Sequence, residues 1–473
     1  MGREQSNVAL TLGLCAGYFL VLLDVTVVNV ALPSIGTGLH ATGPGLAWVV
    51  DAYSVPLAAL LLASGAIGDS LGHRRVVVAG FSGFGVASML CALAPGTTVL
   101  ITGRALQGVC AALMLPGTLA LLAESAPDDR ARSRAVGLWA AVGGAALPAG
   151  PFLGGLLAEA GGWRAVFWLN VPVIIAALVA VARRAPGTRE DQRLGDGVGW
   201  AGAAALVAML GSAVTAVIQA VASPWLSIAM AAVTVPAGVT FWRVERAATR
   251  PLLRVPALAR RPLAAASAVA GLMNLCSLGA LFLLTQVFQD AHRLSPLEAG
   301  LLLLPAMLPL PLLGTTAGRL TGRFGPWRTS AVGLVLAAAG LAGVAATIGR
   351  SGYPALIVSL AAWGAGLGIL GPAIVTAALQ ATPGAPGIAS GASNTARQAG
   401  GALGVAAFAA LAGSANDGAF VQHTSWLMTG AAGAFTVAAL YCLLFLRRLR
   451  RLRRAAPADI PPGVPRPASR QRA

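Results

Sequence analysis

Long apolar stretches recur along almost the whole chain, and they constrain its fold more than any other feature. A helix that crosses a membrane needs about 20 mostly apolar residues. Only 10% of the 473 residues are charged and 57% are hydrophobic, whereas about a quarter of a soluble domain is charged. The sequence therefore predicts an all-α polytopic membrane protein. Its fourteen predicted spans are residues 9–32, 45–66, 76–94, 99–122, 136–158, 165–182, 198–219, 225–242, 263–287, 297–317, 329–348, 354–379, 387–412 and 425–446.

The basic residues predict the orientation of these spans. With the N-terminus in the cytoplasm, the extracellular loops hold only Arg164, Arg293 and Arg350, and the other loop arginines are cytoplasmic. This distribution follows the positive-inside rule. We therefore expect a multi-pass plasma (inner) membrane protein with both termini in the cytoplasm. Residues 447–473 are predicted to form a basic, disordered tail whose arginines contact anionic lipid.

The composition excludes several classes of function. All 33 basic residues are arginine, so the chain lacks the lysine that an ATP-binding P-loop or Schiff-base chemistry needs. No nucleic-acid-binding motif accompanies the net charge of +17, so nucleic acid is not an expected partner. The five cysteines form no CxxC pair and the four histidines are scattered. We therefore expect neither a metal site nor another cofactor.

Two short segments of the chain resemble each other. Residues 65–75 (GAIGDSLGHRR) and 318–328 (GRLTGRFGPWR) place glycines at matching positions, which are 253 residues apart in both pairs. Two six-helix halves with two helices inserted between them give this offset, and many secondary transporters consist of repeated halves. We predict a first half at 1–182, inserted helices seven and eight with linkers at 183–262, a second half at 263–446 and the tail at 447–473.

Polar and charged residues interrupt several of the apolar stretches. Asp24 and Asn29 lie in the first span, Asp51 in the second, and Arg104 and Gln107 in the fourth. A charge at bilayer depth costs at least about 2.5–3.5 kcal/mol, so such residues usually mark an ion or substrate path. At about 1.5 Å per residue, Asp24, Asp51 and Arg104 fall at similar depth in the outer half of the membrane.

Six motifs occur in order along the chain. They are residues 24–33 (DVTVVNVALP), 65–75, 104–108 (RALQG) with Pro116, 150–155 (GPFLGG), 163–172 (WRAVFWLNVP) and 394–404 (NTARQAGGALG). Together they resemble the major facilitator superfamily, and in particular its fourteen-helix drug:proton antiporter branch of the EmrB/QacA type. The similarity covers almost all of residues 9–446. It implies the major facilitator fold, with two inserted helices, and the export of drugs in exchange for protons.

Asp24, Asp51 and Arg104 are the candidate proton-coupling residues. Burial favours a neutral carboxyl, whereas a nearby arginine favours the carboxylate, so a carboxyl under both influences can load and release a proton as access alternates. Asp24 and Asp51 are the candidate carriers, and Arg104 would adjust their affinity for the proton. The alternative is a static ion pair that joins three helices. Because the family usually has a small polar residue near position 51, Asp51 departs from its pattern.

The resemblance implies a conformational latch in the loop after the second span. In the family this loop holds the two halves together. Ser70 and His73 replace residues that are usually basic, which implies a weaker or differently balanced latch; the alternative is a positive-inside loop without a switching role. The candidate latch residues are Gly65, Asp69, Gly72, Arg74 and Arg75.

Glycine and proline remove side chains from one face of the fifth span, at Gly150, Pro151, Gly154 and Gly155. The resemblance identifies this segment with the antiporter motif. A closely packed interface at this face would seal the protein against leakage. Ordinary packing of small residues is the alternative, and it needs the same contacts.

Five polar residues are candidates for the lining of a substrate cavity. Asn29 and Gln107 would contact substrate or, alternatively, form hydrogen bonds between helices. Arg397 lies about ten residues into the thirteenth span and must face a partner or a water-filled cavity. Asn394 and Gln398 flank it. The last eight spans contain no evident buried carboxylate, which argues against a multivalent cation as substrate.

The sequence thus predicts a membrane transporter and not an enzyme. The predicted function is the export of small, largely apolar drugs or antibiotics, driven by the proton motive force. One proton yields about 2.3 kcal/mol per 100 mV and about 1.4 kcal/mol per pH unit, which approaches the cost of about 4.1 kcal/mol for a thousandfold drug gradient. The alternative is a proton-coupled metabolite or sugar transporter of the same fold.

Overall fold

A computed structural model describes residues 2–41, 43–125, 129–184, 200–220, 223–247, 257–349, 353–381, 386–415 and 417–455. Within these ranges the apolar stretches form α-helices, as the sequence predicts, because a helix satisfies every internal backbone hydrogen bond without help from water. The first six helices are α1 (Gly2–Leu39), α2 (Gly43–Leu71), α3 (His73–Ala92), α4 (Thr97–Glu124), α5 (Asp129–Gly161) and α6 (Arg164–Arg184).

Ten further helices, α7 to α16, follow in the described residues. Helix α9 ends in a π-helical turn at Val287–Ala291, and α10 to α12 form one bent segment. The remaining helices are α7 (Trp200–Ile218), α8 (Pro224–Ala247), α9 (Ala257–Gln286), α10 (Pro296–Met307), α11 (Pro309–Leu312), α12 (Gly314–Phe324), α13 (Pro326–Thr347), α14 (Tyr353–Ala381), α15 (Pro386–Ala412) and α16 (Phe420–Ala455).

The fourteen predicted membrane spans are confirmed in part by the described residues. Eleven helices of the described residues are long and apolar enough to cross a membrane, or twelve if the bent segment α10 to α12 is one span. A helix lies at each of the fourteen predicted positions, but the apolar part of α7 is only Ala204–Ile218 and α15 does not reach the required hydropathy. Fourteen spans are therefore not confirmed.

The boundary of the predicted tail also differs. Helix α16 continues to Ala455, so residues 447–455 extend the last helix instead of beginning a disordered segment. Residues 456–473 lie outside the described residues, as do 185–199 and 248–256 of the predicted linkers.

The helices pack into two groups that meet at defined interfaces. Helices α1 to α6 contact one another, as do α9 to α16, and the groups meet where α5 packs on α10 and α2 packs on α15. Helix α7 lies against α2, α15 and α8, whereas α8 has no buried residue. Helices α7 and α8 thus lie at the side of the bundle next to α2 and α15.

The two similar segments have the same backbone geometry. Gly72 precedes α3 with φ 86°, and Gly325 precedes α13 with φ 84°. Residues with a side chain rarely adopt this left-handed conformation. A glycine is therefore required at the same point of each half, which is consistent with an internal repeat.

Candidate functional site

An ion pair lies inside the first six helices. The Asp24 carboxylate of α1 accepts a hydrogen bond from the Arg104 guanidinium of α4, and their side chains are 0% and 1% exposed. The Nε atom of Arg104 also donates to the carbonyl oxygen of Val49 on α2, at 2.9 Å. The matching depth that helix spacing predicts for Asp24 and Arg104 therefore corresponds to direct contact.

A polar network extends this pair to two more helices. Arg104 Nη1 donates to Gln107 Oε1 at 3.0 Å, and Gln107 Nε2 donates to the Ser88 hydroxyl of α3 at 2.8 Å. Asn170 Nδ2 of α6 lies 3.4 Å from both Asp24 Oδ1 and Ser88 Oγ. The network joins α1, α2, α3, α4 and α6 within one half of the protein.

Aromatic rings cover the arginine of this network. The Arg104 guanidinium carbon lies 4.4 Å from the centre of the Tyr53 ring and 6.0 Å from that of Phe167, which are cation–π distances. The Tyr53 hydroxyl donates to the carbonyl oxygen of Val21 at 2.9 Å. The pair is thus buried between these rings and the surrounding helices.

Among the described residues Asp51 forms no ion pair with Arg104, which the sequence predicts to adjust both carboxyl groups. Its side chain is fully buried, and neither carboxylate oxygen has a hydrogen-bond partner among the described residues. At about 100° per residue, Asp51 shares a face of α2 with Val55, which approaches Gly211 of α7, and with Ala58, whose carbonyl accepts from Thr395 of α15 at 3.3 Å. Asp51 therefore faces α7 and α15 rather than Arg104.

The candidate latch makes contacts within the first half. Arg74 donates to the carbonyl oxygen of Ala182 at the end of α6, and the His73 ring lies 3.8 Å from the Glu124 carboxylate at the end of α4. Arg75 is exposed. Gly65 lies within α2, and the side chain of Asp69 is outside the described residues, so the proposed latch role of these residues stays a prediction.

The bare face of α5 packs against two helices. A methyl group added at Gly154 would lie 2.7 Å from the carbonyl oxygen of Val27 on α1, and one at Gly150 would overlap Thr26. A methyl group at Gly155 would lie 2.5 Å from the carbonyl oxygen of Pro296 on α10.

The same face also carries the contact between the two groups of helices. Gly300 of α10 lies directly against the backbone of Pro151. Two hydrogen bonds also join the two groups of helices: Gln289 Nε2 donates to the carbonyl oxygen of Val30 at 2.7 Å, and the backbone N–H of Leu297 donates to Glu159 at 3.3 Å. The small residues of α5 thus allow the two groups of helices to touch along their backbones.

The five candidate cavity residues fall into two groups. Asn29 is buried and donates to the carbonyl oxygen of Val25 in its own helix at 2.6 Å, and Gln107 belongs to the buried network. Both therefore act as hydrogen-bonding residues between or within helices in this conformation. Asn394, Arg397 and Gln398 of α15 are half-buried.

Three members of the network were not among the predicted site residues. Asn170 and Ser88 are polar residues inside apolar spans, which is the same signal that identifies Asp24 and Gln107. Tyr53 gives no such signal, because an aromatic residue in a membrane helix usually packs against neighbours or lies at the interface. Among the described residues, no group of three or more His, Cys, Asp or Glu side chains is placed to hold a metal ion.

Comparisons with known proteins identify the family of the chain. Residues 14–405, more than half of its length, match the family model described as Major Facilitator Superfamily. The chain is 36% identical over 328 residues to the methylenomycin A resistance protein of Bacillus subtilis, with 68% of this chain and 69% of that protein covered. It is 35% identical over 346 residues to the tetracenomycin C resistance and export protein of Streptomyces glaucescens, with 72% and 64% covered.

Further relatives and solved structures agree with this match. The chain is 34% identical over 374 residues to the drug efflux pump JefA of Mycobacterium tuberculosis, with 78% and 72% covered. The crystal structure of the peptide transporter POT in complex with alafosfalin has a TM-score of 0.68 and 16% identity, covering 96% of this chain and 99% of that one. The structure of PepTSo, at 0.65 and 15%, covers 94% and 98%. At such low identity these structures support the fold alone.

Proposed function

Since the chain belongs to the major facilitator superfamily, we propose that it is a proton-coupled exporter of small, largely apolar drugs or antibiotics. The chain is a multi-pass membrane protein of a transporter family rather than an enzyme. The names of three relatives, each at least 34% identical, describe resistance to or efflux of antibiotics and drugs. One of them, the tetracenomycin protein, is matched over slightly less than two thirds of its length.

The single observation that carries proton coupling is the sealed pair of Asp24 and Arg104. Such a pair is stable only while both charges are present, since removing one leaves the other buried without a partner. Protonation of Asp24 therefore weakens its contact with Arg104 and favours a conformation in which α1 and α4 separate. Conversely, closure of this contact expels the proton.

The contact between α5 and α10 supports alternating access. With the N-terminus in the cytoplasm, Gly155 and Pro296 lie at the extracellular side, and this side is closed by direct backbone packing and by the Gln289 and Glu159 hydrogen bonds. A transporter closed on one side exchanges ligands on the other. Opening of this interface and closure of the cytoplasmic side would carry bound drug outward.

Asp51 is the second proposed proton carrier. A buried carboxyl with no hydrogen-bond partner among the described residues is costly as an anion. Asp51 faces α15, which belongs to the other half, so a relative movement of α2 and α15 changes its surroundings. Loading and release of a proton at Asp51 would then follow the same conformational cycle.

We assign the chain to the fourteen-helix antiporter branch of the family, with both termini in the cytoplasm of the plasma (inner) membrane. Helices occupy all fourteen predicted positions, and peripheral α7 and α8 correspond to the inserted pair. The shortness of the apolar part of α7 and the polarity of α15 would then reflect their contacts with α2. A reporter fused after residue 473 tests the orientation, and an extracellular signal would contradict it.

A metabolite or sugar transporter of the same fold is the second candidate, since the solved structures with the same fold include peptide transporters. Antibiotic resistance of expressing cells favours the exporter. Growth on a transported nutrient without any change in resistance favours the alternative.

Transport by cells that express the chain tests the proposal directly. We expect increased resistance to part of an antibiotic panel that includes methylenomycin A and tetracenomycin C, and a protonophore should abolish it. Asp24→Asn should remove resistance while surface expression is unchanged. The matched control is Asp417→Asn, because the Asp417 side chain is exposed and accepts a hydrogen bond from the backbone N–H of Ser414 at 3.1 Å, outside the first six helices. Resistance that survives both the protonophore and Asp24→Asn would contradict proton coupling.

A further inference from the structure

A groove runs along the surface of the bundle between α1 and α6. Its volume is about 570 Å³, which lies within the range of about 300–1,000 Å³ that is usual for small-molecule sites. Leu12 of α1 and Val179 of α6 line the groove, and both side chains are exposed. The groove is therefore open to the surroundings of the protein and is not a cavity of its core.

Small side chains on both helices form this groove. A methyl group added at Gly13 of α1 would lie 2.9 Å from Ala180 Cβ and 3.3 Å from the carbonyl oxygen of Ala177 on α6, so the two helices touch at this point. Ala9 and Ala16, one turn to either side of Gly13, also line the groove. Because these side chains are short, a channel remains along the line where α1 and α6 meet.

The length of the groove matches the depth of one membrane leaflet. Along α6 it extends from Pro172 to Arg183, which is about 16 Å at 1.5 Å per residue. The hydrocarbon core of a bilayer is about 30 Å thick, so one leaflet contributes about 15 Å. Ala9 is near the beginning of α1 and Arg183 is near the end of α6. The arginine end of the groove therefore lies on the side of the membrane that holds the N-terminus.

The charge at this end of the groove is positive. Of the described residues that line the groove, Arg183 alone has a polar side chain, and it is exposed and forms no ion pair within the described ranges. Arg74 of α3 reaches the same end of α6, where it donates to the carbonyl oxygen of Ala182. Its Nε atom is buried and has no acceptor in the described part of the chain. The groove thus combines an apolar channel with a cationic end.

We infer that this groove is a binding site for an anionic phospholipid, with one acyl chain along α6 and the phosphate at Arg183. The guanidinium group is suited to phosphate oxygens, and the apolar channel disfavours a ligand that is polar along its length. A zwitterionic lipid has the same chains, but its headgroup brings a second cation close to Arg183 and weakens the attraction. Binding at this groove does not depend on which compound the chain exports.

Native mass spectrometry of the delipidated full chain tests this site. Phosphatidylglycerol and phosphatidylcholine with identical acyl chains are added separately, and the bound fraction gives the affinity of each. We expect tighter binding of phosphatidylglycerol, which should also raise the melting temperature in detergent because it binds the folded state. Arg183→Gln should weaken its binding by about tenfold, the factor for a lost hydrogen bond to a charged group. Glycerol phosphate, which has the charge without the chains, should not compete.

A second variant tests the apolar part of the groove with the arginine in place. Ala176 is exposed and lines the groove, so Ala176→Phe should fold, fill the channel and weaken the binding of both lipids. The matched control for the charge is Arg319→Gln, an exposed position on α12 outside the groove. The matched control for the ring is Val358→Phe, on an exposed face of α14. Neither control should change the binding of phosphatidylglycerol.

Several results would overturn the inference. Equal affinity of the unaltered chain for the two lipids, or an equal loss in Arg183→Gln and Arg319→Gln, would mean that the net charge of +17 attracts lipid without a defined site. Unchanged binding of phosphatidylglycerol by Arg183→Gln or by Ala176→Phe would place the lipid elsewhere. Competition by glycerol phosphate would show an anion site that needs no acyl chain.

Discussion

The Asp24 carboxylate and the Arg104 guanidinium, 80 residues apart in the chain, meet in a contact that is closed to water on every side. Each group also has a second polar neighbour, Asn170 for Asp24 and Gln107 for Arg104. The low polarity around the pair strengthens the attraction and makes an unpaired charge expensive. The pair therefore holds α1 and α4 together as long as both charges are present.

Removing one charge of this pair should destabilise the protein more than removing both charges. Arg104→Gln leaves Asp24 buried without its cation, and loss of one partner of a buried pair costs about 3–5 kcal/mol. The double variant Asp24→Asn/Arg104→Gln has no unpaired charge, so its melting temperature in detergent should exceed that of Arg104→Gln. A double variant that melts no higher than the single one would show that the pair contributes little through its charges.

Replacing Asp51 should not lower the melting temperature, whereas replacing Asp24 should. Asp51→Asn removes a buried carboxyl that has no described hydrogen-bond partner, so the melting temperature should stay the same or rise, whereas Asp24→Asn should lower it. Export driven by a pH gradient should fall in Asp51→Asn, while drug exchange across vesicles without a gradient should continue. Loss of stability equal to that of Asp24→Asn would reveal a partner for Asp51.

The sequence predicts the helices and the matching depth of Asp24 and Arg104, but not the side of α2 on which Asp51 lies. Residue spacing gives the depth of a residue in the membrane and not the rotation of its helix. The depth of Asp24 and Arg104 follows from residue counting, and their contact agrees with it. The direction of Asp51 does not follow, because α2 is apolar all round and no polar stripe marks its faces. For the same reason the sequence does not predict that the rings of Tyr18 and Trp139 stack with their centres 3.6 Å apart. This contact depends on how α1 and α5 are rotated, and on Gly143, where a methyl group would overlap the Tyr18 ring.

The interface of α5 and α10 should be sensitive to single methyl groups. At Gly155 an added methyl group meets the carbonyl oxygen of Pro296 at 2.5 Å, which the close packing of the interface does not accommodate. Gly155→Ala should therefore push α5 and α10 apart at this contact. Gly144→Ala is the matched control on the same helix, because its nearest atom would be Pro311 Cβ at 3.7 Å, an ordinary contact.

Spin labels report the state of this interface. Ala160 is exposed near the end of α5 and Ala291 is exposed in the π-helical turn that precedes α10, so Ala160→Cys and Ala291→Cys in a cysteine-free background provide a pair distance. Gly155→Ala should lengthen this distance or broaden its distribution, and Gly144→Ala should not. The same distribution in both variants would mean that Gly155 does not set the separation of α5 and α10.

Of two glycines next to the start of α13, only Gly322 should tolerate replacement by alanine, whereas Gly325 should not. Gly325 has φ 84° and Gly322 is helical, and a methyl group at either meets no atom within 4 Å, so the two positions differ in backbone conformation and not in space. Gly325→Ala should lower the free energy of unfolding by about 1–2 kcal/mol, the cost of a left-handed residue with a side chain. Gly322→Ala should raise it by about 0.5–1 kcal/mol through higher helix propensity. Melting temperatures in detergent measure both changes, and a loss of stability at Gly322 equal to that at Gly325 would mean that contacts, rather than the left-handed turn, fix this loop.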